Sequence, residues 1–544
     1  MQIDSITPTR FDNGRSVTVT GEGFGSSQGQ VLIGGIAQNV NTWSDTAITF
    51  TSVRGSQSMG ACRVDVVAGS DVTLSLQARS MGQVVSNGGT ITIPRYAAVL
   101  FDLSGTTAAG IDTPFVQLFS HHDYGYATPT TPGSHTQSGL PRGNDIGGLI
   151  RTHVYETAGT YEYTVRVKIP SGGYAEGSIT VVVEEPSDYF TNVVAIGGGS
   201  SWPTWANDTL YTFSDNQDCT AKGNLDIPQN LHDIWIMGNP AAPAIVNDNV
   251  GVMISINPGA TSFTSPYNIG FVGITGALEI GVNYGTDITF HAVAGRNLTT
   301  AFISHRDVFG YSGTHFLRPS GVAFSKCNVT GTSTEGAPVY WCATGAEYVS
   351  LIDCSVNQGT YTSHIGRTQG AYKTVFSHSK FWGMGSDGAY LTIRSNGRDP
   401  WNRAYHLTVP DEQPTEFVVV ANCTFGDNSD SLVSNFPTSV MLSESGVTNQ
   451  GRLQDIVWIS NSYATDIEAA GRSVLLSFLG RRLGVTDCTG LLASKISYNN
   501  ETSVPGTVRA DYIPVYSEDG FAQGFLAGER IQLPAFEDPG KAGS

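Results

Sequence analysis

The sequence of 544 residues predicts an all-β protein, in which two small β-sandwiches precede a right-handed parallel β-helix. Three observations support this prediction. Apolar residues occur in short alternating runs that stop at Gly, Asn or Asp, as strands and their turns do. A six-residue motif recurs between residues 188 and 505, and a second set of strands keeps phase with it. A chain of this length also requires several separate cores.

The first domain is predicted at residues 1–90, where short alternating strands are separated by glycine turns. The residues that carry this pattern are Ile3, Ile6, Pro8, Val17, Val19, Gly21, Gly23, Phe24, Gly25, Val31, Ile33, Gly34, Gly35, Trp43-Ser44-Asp45-Thr46 and Ile48. The string resembles the IPT/TIG family of immunoglobulin-like domains. The resemblance implies a spacer or adhesive module at a cell or virion surface and leaves the function open, because a fold does not specify one.

The second domain is predicted at residues 91–187. It opens with Val99-Leu100-Phe101-Asp102, and His153-Val154-Tyr155 and Gly159-Thr160-Tyr161 lie near its end. These runs resemble the last strands of a PKD domain, which implies a second immunoglobulin-like sandwich. The family's central Trp-x-Phe-Gly-Asp-Gly segment is absent, and His121-His122-Asp123 stands roughly in its place. No matching partner set is visible, so we interpret this cluster as a polar turn and not as a metal site.

The β-helix is predicted at residues 188–505 from a motif of the form x-small-x-[Val/Ile/Phe]-x-Gly, with Lys326-Cys327-Asn328-Val329-Thr330-Gly331 as one copy. The residues at the small position, which we call anchors, are His291 in an early and weaker copy, then Cys327, Cys354, Ser379, Cys423, Ser462 and Cys488, in steps of 36, 27, 25, 44, 39 and 26 residues. Three short strands and three turns fit a step in the twenties, and a longer step indicates an inserted loop. Coils stack about 4.8 Å apart, so like residues form inward ladders. We interpret His291 and His378 as turn or core residues.

A second strand follows each anchor by 10 to 17 residues. These strands are Val339-Tyr340-Trp341-Cys342, His364-Ile365-Gly366-Arg367, Tyr390-Leu391-Thr392-Ile393-Arg394, Val440-Met441-Leu442-Ser443 and Val474-Leu475-Leu476-Ser477. A β-propeller is the alternative, but its blades of about 40–50 residues predict a steadier period. Residues 506–544 lose the repeat, and we expect them to cap the last coil or to form a subunit contact, because an open end is an unpaired edge.

The composition excludes several classes of function. The net charge of −18 disfavours binding to nucleic acid, and no apolar run approaches the roughly 20 residues that span a bilayer. The seven cysteines show no zinc pattern, so we expect small buried side chains, and we predict no metal and no cofactor. No secretory signal follows Met1. We therefore expect either a trimmed sequence or a protein that folds in the cytosol and leaves as part of an assembly such as a virion.

A glycan-binding groove is predicted along the second set of strands, because Arg residues stand out in a chain with only 29 Lys and Arg. Arg can hold sugar carboxylates or sulfates through two hydrogen bonds, and Trp and Tyr faces stack on sugar rings. The candidate binding residues are His305, Arg306, Arg367, Arg394, Arg403, Trp382, Trp401 and Tyr340, with Trp341 as further aromatic surface. The alternative is a solvated face that carries ordinary ion pairs.

Catalysis at the same groove is a second hypothesis. Glycoside hydrolysis needs two carboxylates, about 5 Å apart for retention or roughly 6.5–9.5 Å apart for inversion. The candidates are Asp387, Asp399 and Glu444, with Asp307 in reserve. A lyase would instead use His305 or His364 as the base and Arg367 or Arg394 to stabilise the developing charge.

As a whole, the chain resembles phage tailspikes and other virion surface proteins that contain a parallel β-helix. The resemblance implies a homotrimer on the virion surface, which recognises host surface polysaccharide, with or without depolymerase activity. It also implies contact with other tail proteins through the N-terminal domains. A secreted bacterial polysaccharide lyase or glycoside hydrolase is an alternative, and so is a structural appendage or decoration protein without a ligand.

Overall fold

The structure, a computed structural model, is built almost entirely of β-strands. It describes residues 2–8, 14–33, 36–52, 64–67, 72–108, 115, 118–126, 145–146, 148–168, 174–228, 231–246, 250–254, 267–276, 278–282, 285–293, 301–304, 319–331, 339–344, 346–358, 364–369, 371–382, 391–395, 416–425, 441–445, 455–459, 476–478, 482–486, 496–498 and 511–512. A short helix, α1 (Pro186–Tyr189), links the second sandwich to the β-helix. None of the helices within these ranges is both long and apolar enough to cross a membrane.

The described part of the first sandwich contains seven strands in two sheets. They are β1 (Gln2–Thr7), β2 (Ser16–Glu22), β3 (Gln30–Ile33), β4 (Ile36–Ala37), β5 (Asn39–Trp43), β6 (Ala47–Thr51) and β7 (Val64–Val67), in the orders β1-β2-β6-β5 and β4-β3-β7. Phe24 is buried in the core, and its ring meets Trp43 edge-on at 6.5 Å. Gly23 and Gly25 have φ values of 73° and 81°, which confirms that these glycines form turns with positive φ.

The second sandwich begins before residue 90. Its strands are β8 (Val72–Thr73), β9 (Gln77–Ser80), β10 (Gln83–Ser86), β11 (Thr90–Pro94), β12 (Ala98–Asp102), β13 (Thr107–Ala108), β14 (Phe119–Asp123), β15 (Asp145–Ile146), β16 (Ile150–Val154), β17 (Gly159–Lys168) and β18 (Tyr174–Glu184). A four-stranded sheet has the order β10-β9-β12-β16, and a five-stranded sheet has the order β11-β18-β17-β14-β15. The strands from Val72 onward therefore belong to the second sandwich. Ala78 and Ile91 are accordingly buried in its core.

The cluster His121-His122-Asp123 lies on strand β14, so the predicted polar turn was wrong. His122 is fully buried, and its Nδ1 lies 2.7 Å from the Tyr163 hydroxyl. Its Nε2 lies 2.8 Å from Ser120 Oγ and 2.9 Å from the Gly148 carbonyl oxygen. A buried imidazole with partners on both nitrogens is a structural group of the core. Among the described residues, no group of three or more His, Cys, Asp or Glu side chains is placed to hold a metal ion.

The rest of the described chain forms the parallel β-helix. Its strands are β19 (Asn192–Ala195), β20 (Thr209–Thr212), β21 (Asp218–Cys219), β22 (Leu225–Ile227), β23 (His232–Met237), β24 (Ala244–Val246), β25 (Val250–Ile254), β26 (Tyr267–Val272), β27 (Ile274–Thr275), β28 (Leu278–Val282), β29 (Thr286–His291), β30 (Ala301–Ser304), β31 (Ser320–Ser325), β32 (Asn328–Gly331), β33 (Val339–Thr344), β34 (Ser350–Ile352), β35 (Ser355–Gln358), β36 (His364–Gln369), β37 (Tyr372–Ser377), β38 (Lys380–Trp382), β39 (Leu391–Ser395), β40 (Glu416–Ala421), β41 (Thr424–Phe425), β42 (Met441–Ser445), β43 (Asp455–Ile459), β44 (Leu476–Phe478), β45 (Arg482–Thr486), β46 (Ile496–Tyr498) and β47 (Asp511–Tyr512).

Three parallel sheets run along this β-helix. Sheet A has the order β19-β20-β23-β26-β29-β31-β34-β37-β40-β43-β45-β47, and sheet B has the order β22-β25-β28-β30-β33-β36-β39-β42-β44-β46. Sheet C consists of β21-β24-β27 and β32-β35-β38-β41. The right-handed coil and the second set of strands are as predicted. Sheet A extends to Tyr512, beyond the predicted end at residue 505, and the capping role of residues 506–544 stays a prediction.

The anchors form the predicted ladder between sheets A and C. The Cys327 amide donates to Cys354 Sγ at 3.4 Å, and the Cys354 amide donates to Ser379 Oγ at 3.1 Å. These three side chains and Cys423 are buried, and Cys219, Cys327, Cys354 and Cys423 are free thiols. A small side chain with one polar atom suits the position because it fills the turn and bonds to the adjacent coil. Ser462 and Cys488 lie outside the described residues.

The residue before each anchor adopts a left-handed conformation. The φ values are 51° at Lys326, 52° at Asp353, 52° at His378 and 55° at Asn422. This conformation costs a non-glycine residue about 1–2 kcal/mol, and here it turns the chain from sheet A into sheet C. His378 is a buried turn residue, as predicted, and its Nε2 lies 3.0 Å from Asn422 Nδ2 of the adjacent coil.

The predicted alignment of the early copy was wrong by two residues. His291 pairs with Ser325 in the sheet, and Ala292 has the φ of 52° that precedes an anchor. Val293 therefore occupies the anchor position, and its carbonyl oxygen accepts a hydrogen bond from the Asn328 amide at 3.2 Å. The left-handed residue sets the register of the ladder. The sequence motif allowed any residue at that position, so it could not distinguish Val293 from His291 as the anchor. His291 itself is buried, as predicted.

The second sandwich packs against the outer face of sheet A. All five residues of β16 are buried, because its four-stranded sheet lies between the sandwich core and the β-helix. Sheet A residues Val272, Val375 and Val419 belong to one apolar cluster with sandwich residues. Gly148 lies so close to this face that an added Cβ would come within 2.6 Å of Val419 Cγ1. The two domains therefore share a packed interface.

Polar groups also cross this interface. The Lys373 ammonium lies 2.7 Å from Asp102 Oδ2, and only 12% and 6% of the two side chains are exposed. The ammonium also lies 3.1 Å from the Tyr348 hydroxyl and 5.0 Å from the centre of its ring. Burial alone would lower the pKa of Lys373, but attraction to the Asp102 carboxylate and the hydrogen bonds raise it. The ammonium therefore stays charged within the interface.

Disrupting this ion pair tests the interface. We expect Lys373→Met or Asp102→Asn to lower the free energy of unfolding by about 3 kcal/mol, because either change leaves one buried group without its partner. The double variant should lose less than the sum of the two, since neither group is then left alone. Urea denaturation followed by fluorescence measures the effects. Glu185→Gln, in the more exposed pair with Arg95, is the control and should cost under about 1 kcal/mol.

His291 makes the same interface sensitive to pH. Its ring stacks on Tyr96 at 4.6 Å. Burial, helped by the nearby Lys326 and Arg95 cations and opposed by Glu156, lowers the pKa of His291 to about 4. The unfolded chain takes up this proton near pH 6.5, so stability is full above that pH and is lost as pH falls towards 4. Between about pH 7.5 and pH 4.5 we expect a loss of about 2.5 kcal/mol in urea denaturation. His291→Phe keeps a ring and should remove this part of the loss; an unchanged pH profile in that variant contradicts the assignment.

Candidate functional site

Sheet B contains the strands along which the groove was predicted, and its inner face is filled by core residues. Trp341 on β33, and Leu391 and Ile393 on β39, are buried. Trp341 meets Phe324 and Phe376 edge-on, at 6.3 and 5.3 Å between ring centres. The prediction that Trp341 adds aromatic surface was therefore wrong. Alternate residues of a strand point to opposite faces of the sheet, and Trp341 occupies one of the positions that point into the core.

The positions that alternate with these core residues form two columns across the strands of sheet B. One column contains Phe302, Cys342, Arg367, Thr392 and Leu442, and the other contains Ser304, Thr344, Gln369, Arg394 and Glu444. Strands of one sheet lie about 4.8 Å apart, and residues two apart share a face. Parallel pairing thus brings chain segments that are distant in sequence onto one side of sheet B.

Four of the predicted site residues share this face. Arg394 and Glu444 are register partners on neighbouring strands. Arg367 lies on the strand before Arg394, two positions nearer the strand start, so it has the same parity. Tyr340 lies two residues before Cys342 on β33 and has that parity too. The sequence prediction that Arg367 and Arg394 belong to one face of the β-helix agrees with this register.

The remaining candidates are divided between another sheet and undescribed segments. Trp382 lies on β38 of sheet C, where its register partner is Asn357, so it does not share the strands of Arg367 and Arg394. Trp382 follows its anchor Ser379 directly, and the strand that follows an anchor belongs to sheet C. The candidates outside the described residues are His305, Arg306, Asp307, Asp387, Asp399, Trp401 and Arg403.

The position of the second sandwich limits where a ligand can bind the β-helix. Hydrogen bonds and ion pairs from the sandwich end on Asp287, Thr289, Lys326, Ser350 and Lys373, all on sheet A or in the turn after it. Sequence reasoning missed this docking, although a signal is present. Strand β31 is buried at four consecutive positions, as expected for a strand covered on both faces.

Comparison with known proteins identifies one domain by sequence. Residues 1–93 match the IPT/TIG domain family, a range that includes strands β8 to β11 of the second sandwich. No curated protein sequence matches the chain. The N-terminal domain is thus IPT/TIG-like, as predicted, while the PKD likeness of the second sandwich stays a prediction.

Among solved structures, the chain is similar to the family 28 exopolygalacturonase of Yersinia enterocolitica, with 9% identity, a TM-score of 0.32, and coverage of 82% of this chain and 86% of that one. It is similar to the pectate lyase Pel9A, with 12% identity, a TM-score of 0.26, and coverage of 60% and 77%. It is also similar to the tailspike of Pseudomonas phage phi297, with 9% identity, a TM-score of 0.26, and coverage of 81% and 66%.

Proposed function

We propose that the outer face of sheet B is a binding groove for an acidic polysaccharide. The observation that carries this proposal is the register that puts Arg367, Arg394 and Glu444 on one face. Guanidinium groups bind sugar carboxylates and sulfates through paired hydrogen bonds. The chain as a whole, with a net charge of −18, repels anions. Two Arg residues on one face would attract them locally.

A stacked β-helix suits a polymeric ligand better than a small one. Each coil repeats the same surface about 4.8 Å further along the axis, so a linear glycan can meet equivalent positions on successive strands. Tyr340 provides a ring near one end of the columns, and sugar rings stack on such side chains. We place Arg403 and Trp401, with His305 and Arg306, in the same groove, and Trp382 of sheet C beside it.

The biological setting that we propose is the virion surface, where the protein recognises host surface polysaccharide as a tailspike-like homotrimer. Its N-terminal domains would then join other tail proteins. The IPT/TIG match of residues 1–93 supports a role of this end in attachment, as such modules are spacers or adhesive domains. Sedimentation equilibrium of the full chain tests the trimer.

Substitution of the arginines tests the groove. We expect Arg394→Ala and Arg367→Ala each to weaken binding to an acidic bacterial capsular polysaccharide by roughly tenfold, because one charged hydrogen bond contributes about 1.5 kcal/mol. Titration calorimetry measures the affinity. Lys380→Ala, which removes a cation from sheet C, is the matched control and should bind as the wild type does. Wild-type affinity in both arginine variants would remove the groove from sheet B.

The same face is where we place any depolymerase activity. On strands β33, β36, β39 and β42 as described, Glu444 is the one carboxylate, so a partner from Asp387, Asp399 or Asp307 would complete a hydrolase. We expect Glu444→Gln to keep binding within about threefold and to lose any reducing-end release that the wild type shows.

The readouts for this variant separate the possible outcomes. A rise in absorbance near 235 nm indicates a lyase instead of a hydrolase, with His305 as the base. His364, the other predicted base, has the parity of buried Thr368 on β36 and therefore does not share the outer face. Equal product release by the wild type and Glu444→Gln contradicts the role of Glu444. The absence of product from the wild type supports adhesion alone.

A further inference from the structure

The second sandwich presents a polar cleft on the outer face of its five-stranded sheet. His121, Arg166 and Glu176 are register partners across β14, β17 and β18. They alternate with residues such as Val165 and Val167, which are buried in the sandwich core. The polar row therefore lies on the side of the sheet away from that core, and away from the four-stranded sheet that packs on the β-helix.

The cleft has a volume of about 660 Å³, within the range of pockets that hold small ligands. Its lining residues are Asn87, His121, Asp123, Thr164, Val165, Arg166, Glu176, Gly177 and Ser178. The segment Asn87–Gly88, which forms one wall, is bonded to Ser178 on β18, which forms part of the floor. The Ser178 amide donates to Asn87 Oδ1 at 2.9 Å, and the Gly88 amide donates to the Ser178 carbonyl oxygen at 2.7 Å. One backbone hydrogen bond and one bond to the Asn87 side chain thus hold the cleft in shape.

Its functional groups are planar and closely spaced. Arg166 Nε and Nη2 lie 2.7 and 2.6 Å from Glu176 Oε1. Asp123 Oδ1 accepts the Gly125 amide at 2.9 Å, which orients that carboxylate. The Tyr174 side chain is 49% exposed on the same face, with Arg166 Cζ 5.0 Å from its ring centre. Carboxylate, amide and guanidinium groups beside an aromatic ring match the hydroxyl pairs and the apolar face of a sugar.

The charges select among sugars. Two carboxylates, Asp123 and Glu176, face one guanidinium, that of Arg166, which is already paired. A uronate or a sulfate would meet excess negative charge and find no unpaired cation among these lining residues. We propose that this cleft is a binding site for a neutral saccharide, separate from the sheet B groove and opposite to it in charge preference. The proposal does not depend on the groove, since it uses other residues on another domain.

Affinity electrophoresis of the full chain in gels that contain dextran, galactomannan or xyloglucan tests the cleft, with polygalacturonate as the acidic comparison. We expect at least one neutral polymer to retard the wild type. Tyr174→Ala and Asp123→Asn should each weaken that binding about five- to tenfold. Asn keeps the acceptor for the Gly125 amide, so the second variant removes charge with little change of shape.

Two controls are matched to these variants. Val84→Ala removes an equally exposed apolar side chain from the other sheet, and Asp188→Asn removes an exposed carboxylate from α1. Both should bind as the wild type does, and so should Arg394→Ala, which separates this site from the groove. Three results overturn the proposal: no retardation by any neutral polymer, wild-type binding in both cleft variants, or weakened polygalacturonate binding in those variants.

Discussion

The in-register stacking of coils is the constraint on which the rest of the structure depends. The described coils that carry Cys327, Cys354, Ser379 and Cys423 leave sheet A through a residue of positive φ and then bury a small side chain in the turn, as Lys326 and Cys327 do. The left-handed residue is unfavourable by about 1–2 kcal/mol for most side chains. Buried ladder contacts offset this cost, and the Phe271, Phe290 and Phe324 rings, stacked at 5.0 and 4.7 Å, are an example.

The same constraint explains how far the sequence could predict the fold. Small residues at a fixed place before an apolar strand reveal the ladder, and the strands of sheet B keep phase with it, so both registers were predictable. His291 was misaligned because almost any residue can precede an anchor, and only its backbone conformation marks the position. The docked sandwich was missed because its contacts, such as Thr152 with Ser350, join residues 198 apart in sequence.

The candidate site residues were predictable to the same extent as the strands that carry them. Arg367, Arg394 and Glu444 lie on strands whose phase the repeat fixes, so sequence could place them on one face. Trp382 lies on sheet C, because the strand of three residues directly after an anchor belongs to a separate sheet, and its part in the groove stays a prediction. The cleft of the second sandwich gave no motif, since its floor combines alternate residues from three strands that pair only in the folded domain.

Because the second sandwich is docked on sheet A, its cleft and the sheet B groove are held at a fixed distance from each other. Lys373 and Asp102 form a nearly buried ion pair that fixes the sandwich to sheet A, and the Tyr96 ring stacks on His291 elsewhere in the same interface. If both proposed sites bind, they would hold a polymer at a fixed spacing, so occupation of one would raise the effective concentration at the other. A polysaccharide that alternates neutral and acidic sugars would meet both preferences at once. A rigid pair selects the repeat of such a polymer as well as its chemistry, which two sites on a flexible linker could not do.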